Sequence, residues 1–158
     1  MIPELDDAPH WIKAMDAAAL SPFPTVTPGN LLGTVTLDWL APQKYAYHGD
    51  IVFTRHSGEV VAPEWMQTDL GSVPRLFWPL LAPDDFAPAF VLHDHLWRLH
   101  MLGRGIGRTL HDTNLVCLEA IATLMRDGTV PNDPLKMRAV WFGINSRQAQ
   151  NEWAKYAG

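Results

Sequence analysis

Between Thr68 and Trp97 the chain gathers polar groups that packing alone does not require. Thr68-Asp69-Leu70-Gly71-Ser72-Val73-Pro74-Arg75 is followed by an apolar, proline-containing stretch and then by Leu92-His93-Asp94-His95-Leu96-Trp97. A carboxylate in a Gly/Ser/Pro turn, set before an adjacent His-Asp pair, suits general-base chemistry on water or the holding of a cation. On a helix His93 and Asp94 stand about 100° apart, so the two side chains serve different targets. Farther on, Arg108 and Asp112 lie four residues apart, on one helix face, where they can pair.

Two readings of these groups are open. In the first, Asp112 accepts a hydrogen bond from one nitrogen of His93 and fixes its tautomer. The other nitrogen then takes a proton from water, while Asp94 and the Asp69 loop hold a cation. In the second, His93 and Asp112 satisfy each other across a buried seam between two helices and do no chemistry. A transition-metal cluster drawing on His95, His100 and His111 is a weaker rival, because these residues fall on several faces and lack a His-Glu-x-x-His spacing. A metal-dependent phosphohydrolase would need a further histidine, for which His10 is the available residue. Ser72 has no second glycine in Gly-x-Ser-x-Gly spacing, so a serine nucleophile is not expected.

The elements that must position these groups follow from periodicity. Residues 4 to 20 read as a short amphipathic helix carrying Trp11, stopped by Pro22, Pro24 and Pro28. Strand-like runs occupy 33 to 40, 50 to 55 and 59 to 62, the last two joined by a His56-Ser57-Gly58 hairpin. The period then lengthens: helices are expected over 87 to 102 and 109 to 126, reversed by the glycine-rich turn at 103 to 107. A third helix is expected from the Asn132-Asp133-Pro134 cap to about residue 155. The predicted fold is α+β, a small N-terminal antiparallel sheet packed on an antiparallel helical pair plus a C-terminal helix. Residues 1–30 form an arm and 31–158 a single domain.

Composition narrows the function classes. With 158 residues and 47% apolar content, seven tryptophans among them, the chain can bury a core without staples. The net charge of −5 and the lack of a Lys/Arg cluster argue against a nucleic-acid partner. One cysteine, Cys117, in an apolar run, excludes an internal disulfide and reads as a buried small hydrophobe. No basic, then apolar, leader opens the chain, and no run approaches the ~20 apolar residues of a membrane span, so a protein in solution without its own export signal is expected.

The segment Val60 to Arg75, with Ala89 to Trp97 and then Arg108 and Asp112, resembles the domain-of-unknown-function 1353 family, found largely in tailed phages and prophages. The resemblance implies a phage origin rather than a reaction, with the host cytoplasm during infection or the virion as the setting. A more distant likeness is to phospholipases of the A-two type. It implies an ester hydrolase acting on lipid or another cell-envelope ester. His93 would be the base, Asp112 its orienter, and Asp94 and Asp69 calcium ligands; beside these, Arg75 or Arg108 is a candidate anion clamp, Arg108 being read first as a helix salt bridge to Asp112. The single glycine of the loop, Trp97 in place of a tyrosine, and the lack of disulfides depart from that pattern. The competing class is a non-catalytic virion, tail or assembly protein. It would dock on phage structural proteins, or on further copies of itself as a homo-oligomer, through aromatic ends bearing Trp11, Phe23, Trp141 and Trp153.

Overall fold

The computed structural model describes residues 23–42, 44–68 and 86–156. The expected N-terminal helix with His10 and Trp11, and the loop bearing Asp69, Ser72 and Arg75, lie outside the described residues. Among the described residues six strands precede four helices: β1 (Asn30–Leu32), β2 (Val35–Ala41), β3 (Lys44–Gly49), β4 (Val52–Thr54), β5 (Val60–Val61), β6 (Met66–Thr68), α1 (Ala87–Met101), α2 (Leu110–Arg126), α3 (Pro134–Ile144) and α4 (Arg147–Ala154). The class is α+β, with the strands N-terminal and the helices C-terminal.

The strands form two three-stranded antiparallel sheets, β1-β4-β5 and β2-β3-β6, where one small sheet was expected. The two are halves of one bent ribbon. Leu32 lies opposite Val52, and past the bend Val35 lies opposite Gly49 in the same register. At the bend the Asp50 side chain accepts hydrogen bonds from the Thr34 amide at 2.9 Å and from its hydroxyl at 3.3 Å. The backbone of Gly33 takes φ 90°, and a Cβ there would overlap the Asp50 carbonyl, so glycine is required at this position. The expected β4–β5 hairpin over His56-Ser57-Gly58 is present. β3 and β6 lie outside the expected strands: in Lys44-Tyr45-Ala46-Tyr47-His48-Gly49 two alternating tyrosines are the whole strand signal, and β6 is three residues long.

Each helix starts where its sequence allows. Pro88 sits in the first turn of α1, where its missing N–H costs nothing. Thr109 caps α2 by accepting from the Asp112 amide at 3.1 Å, and Asp133 caps α3 through the Lys136 amide at 3.2 Å. The expected single C-terminal helix is two: the chain breaks at Asn145, and Ser146 caps α4 through the Ala149 amide at 3.2 Å. Serine competes for backbone amides and so favours a new start over continuation.

The core lies between the ribbon and the helices. Tyr47, Ile51, Phe53, Val61 and Met66 from the ribbon meet Phe90, Val91 and Leu92 of α1, Val116, Leu118 and Ile121 of α2, and Val140 to Phe142 of α3. Trp141 is wholly buried, and Trp153 packs edge-on to Trp97 at 4.9 Å and flat on His100 at 3.5 Å. Phe23 is partly buried beneath the Arg138 guanidinium. These three aromatics, expected as docking groups at the chain's ends, are therefore used in internal packing. No helix among the described residues is long and apolar enough to cross a membrane.

Candidate functional site

The site is built on the seam between α1 and α2. The glycine-rich turn reverses the chain so that His93, two turns before the end of α1, faces Asn114 in the second turn of α2. His93 is 5% exposed, and its Nε2 lies 2.9 Å from the Asn114 Oδ1. The Asn114 Nδ2 donates to the Ile144 carbonyl at 3.0 Å, which leaves Oδ1 as the acceptor facing the imidazole. This network assigns the proton to Nε2 and a lone pair to Nδ1. The Nδ1 atom is buried and has no hydrogen-bond partner among the described residues. The Asp94 carboxylate stands 3.9 Å from it.

The helix break at Asn145 matters to this arrangement. In a continuous helix the Ile144 carbonyl would accept from the amide four residues on, but at the end of α3 it is an orphan acceptor, and Asn114 takes it. Asp94 is held from the sheet side. Its Oδ2 accepts from the hydroxyl of Thr68, the last residue of β6, and its side chain keeps 18% exposure. The Cys117 thiol is pushed up in pKa, first by complete burial and then by the nearby Asp94 charge, so it is an inert packing group.

Asp112 does not orient His93. It stands on a different face of α2, where it accepts from Arg55 at 3.0 Å and from Arg108. Arg55 also forms a two-pronged pair with Glu119, at 3.1 and 2.7 Å, and reaches Glu59 at 2.9 Å. Arg108 binds Glu59 as well. Burial acts to lower the Arg55 pKa, but the hydrogen bonds to Glu119, Glu59 and Asp112 outweigh it and hold the guanidinium charged. Arg108, a candidate anion clamp, is thus committed to carboxylates. The cluster ties the β4–β5 hairpin to α2.

The other histidines do not converge on His93. The Nε2 of His100 contacts the Trp153 carbonyl at 2.8 Å, and His111 lies edge-on to Trp141. Among the described residues no group of three His, Cys, Asp or Glu side chains is placed to hold a metal ion. Of the expected site residues, the structure therefore brings His93 and Asp94 together and sets Asp112 and Arg108 apart. Asp69 and Arg75 lie outside the described residues. Asn114 was missed, although a signal for it exists: it interrupts the buried stripe Leu110, Cys117, Ile121, Leu124 at helical spacing.

A family model described as "Protein of unknown function (DUF1353)" matches residues 43–126, just over half of the chain. The chain belongs to the DUF1353 family. The DUF1353 match runs from β3 to the end of α2, so it contains His93, Asp94, Asn114 and the whole Arg55 cluster. It stops short of α3, whose last carbonyl anchors Asn114 in this DUF1353 protein. No curated protein and no solved structure matches the chain.

Proposed function

We propose that this DUF1353 protein is an ester hydrolase with His93 as its general base. The observation that carries the reading is the His93 Nδ1: a buried lone pair without a partner among the described residues, on a ring whose other nitrogen is fixed by Asn114. Leaving a buried acceptor unpaired costs about 1–3 kcal/mol. A histidine serving only to join two helices would be expected to pair both nitrogens.

The chemistry is that of base-assisted hydrolysis. A water reaching the seam beside Asp94 gives a proton to Nδ1 as its oxygen bonds to the ester carbonyl carbon. The imidazolium then returns the proton to the departing alkoxide as the carbon–oxygen bond breaks. Asn114 holds the ring in place without adding charge. Thr68 and Asp94 fix the polar wall on the sheet side.

Calcium belongs to the proposal only in outline. It takes 6–8 oxygen ligands, and the described residues supply the Asp94 carboxylate alone, short of a calcium set, so no step is routed through the ion. Asp94 would share it with Asp69. The phage setting, in the host cytoplasm or the virion, and a cell-envelope ester as substrate, are part of the same proposal.

The test is hydrolysis of nitrophenyl esters of short and long acids by the full chain and by His93→Gln, with and without calcium. A glutamine amide nitrogen reaches about where Nε2 stands and can still donate to Asn114, but it offers no acceptor at Nδ1. Activity is expected to fall by about a hundred- to ten-thousandfold with the melting temperature little changed. Unchanged activity in His93→Gln, or no hydrolysis of any ester by the parent, would overturn the assignment. Calorimetric calcium binding that survives Asp94→Asn would remove Asp94 from the cation's ligands.

A further inference from the structure

Exposed apolar side chains occur on or beside the strands, at Leu32, Trp39, Leu40, Val60 and Trp65. The turn joining α1 to α2 carries another set. Met101, Leu102 and Ile106 fall within six residues at the tip of the helical hairpin, with exposures of 48%, 56% and 95%. Gly103 and Gly107 take positive φ there, and open space surrounds the position of a Cβ at each, so the tip projects from the packed body. Burial of this tip in the fold would remove the exposure, yet the turn holds the three side chains outward.

Charge surrounds the same tip. Arg104 lies exposed inside the turn and Arg98 exposed one turn before the end of α1. While Arg55 and Arg108 are committed to carboxylates, no carboxylate pairs with Arg98 or Arg104 among the described residues. The field they make is felt nearby. Burial is the first cause of the lowered His95 pKa, Glu64 acts against it, and Arg98, Arg104 and Arg108 lower it further. In a chain of net charge −5, an apolar point collared by uncompensated arginines is a local exception. Its chemistry matches the boundary of an anionic bilayer, where apolar side chains enter the acyl edge and guanidinium groups meet phosphates.

We propose that the α1–α2 turn is a membrane-contact surface, in which Leu102 and Ile106 enter the bilayer interface and Arg98 and Arg104 bind anionic lipid headgroups. The surface rests on exposure and charge at the turn and goes beyond the hydrolase reading. A patch that served a second copy of the chain would need no arginine collar, since two like-charged collars would repel across a symmetric contact.

The experiment is sedimentation of the full chain with phosphatidylcholine vesicles, with and without phosphatidylglycerol. Binding is expected with the anionic vesicles and to weaken with salt. Leu102→Ser combined with Ile106→Ser should lower partitioning by at least about tenfold. Arg98→Ser and Arg104→Ser should each lower it by about fivefold. Arg126→Ser, at the opposite end of α2, should bind as the parent does. His93→Gln should also bind normally, so failure of the hydrolase reading and failure of the membrane surface are read apart. A parent chain that stays in the supernatant with both vesicle types overturns the proposal. So does binding unaffected by the tip variants, or a tip-dependent self-association without lipid binding.

Discussion

An amide at position 114 has one acceptor and one donor group, and here both are engaged: Oδ1 faces the His93 Nε2 and Nδ2 the Ile144 carbonyl. Asn114→Leu keeps the approximate volume but strands both partners at a buried position. The expected loss is about 2–5 kcal/mol, measured by urea unfolding, and a loss below about 1 kcal/mol would mean that the two groups find other partners. The position of His93 and Asp94, as a polar pair on the packed face of α1, was legible in the sequence because adjacent polar groups interrupt an apolar helix. Their orienter was not, because placing Asp112 opposite His93 requires the hairpin's register to within a turn. That register depends on where the glycine turn bends. A carboxylate was the more conspicuous choice, but its helix face points to Arg55.

At the scale of elements, the Arg55 cluster fastens the β4–β5 hairpin to α2, and Glu59 is its exposed corner. Burial acts to raise the Glu59 pKa, but hydrogen bonds from Arg55 and Arg108, with their charges, bring it below the usual value. A carboxylate depressed in the folded state contributes stability above its unfolded pKa and loses it as pH falls through the folded value. Stability should therefore decline on the acid side, below about pH 4.5, and Glu59→Gln should flatten part of that decline. Because the side chain is partly solvated, the contribution is put at no more than about 1 kcal/mol. Thermal melts of parent and variant across that range check this, and parallel curves would show that Glu59 does not contribute. Helices α1 and α2 were readable at this scale, since long apolar periods and glycine stops define them locally. β3 and β6 were not, because their residues become strands through pairing with β2 and with each other.

For the whole molecule, the question is whether the C-terminal helices cap a finished core or complete it. Trp141 is fully buried in the same cluster as Phe53, Phe90 and Ile121, and Asn114 on α2 is tied to the end of α3. α3 is thus part of the wall behind the site, although the apolar content of 134 to 144 reads equally well as an interface helix when only the sequence is known. What decides between these is tertiary, namely the break at Asn145 that turns α4 back along α1, where Trp153 stacks on His100. Trp141→Ala should cost about 3–5 kcal/mol and lower the urea midpoint, leaving one cooperative transition followed alike by far-ultraviolet circular dichroism and by fluorescence. If the variant instead loses α3 and α4 in a separate early step while the rest stays folded, the ribbon and the α1–α2 hairpin form a core of their own. The seam around His93 would then be a surface that the C-terminal helices only cover, and water would reach Nδ1 by their release rather than past Asp94.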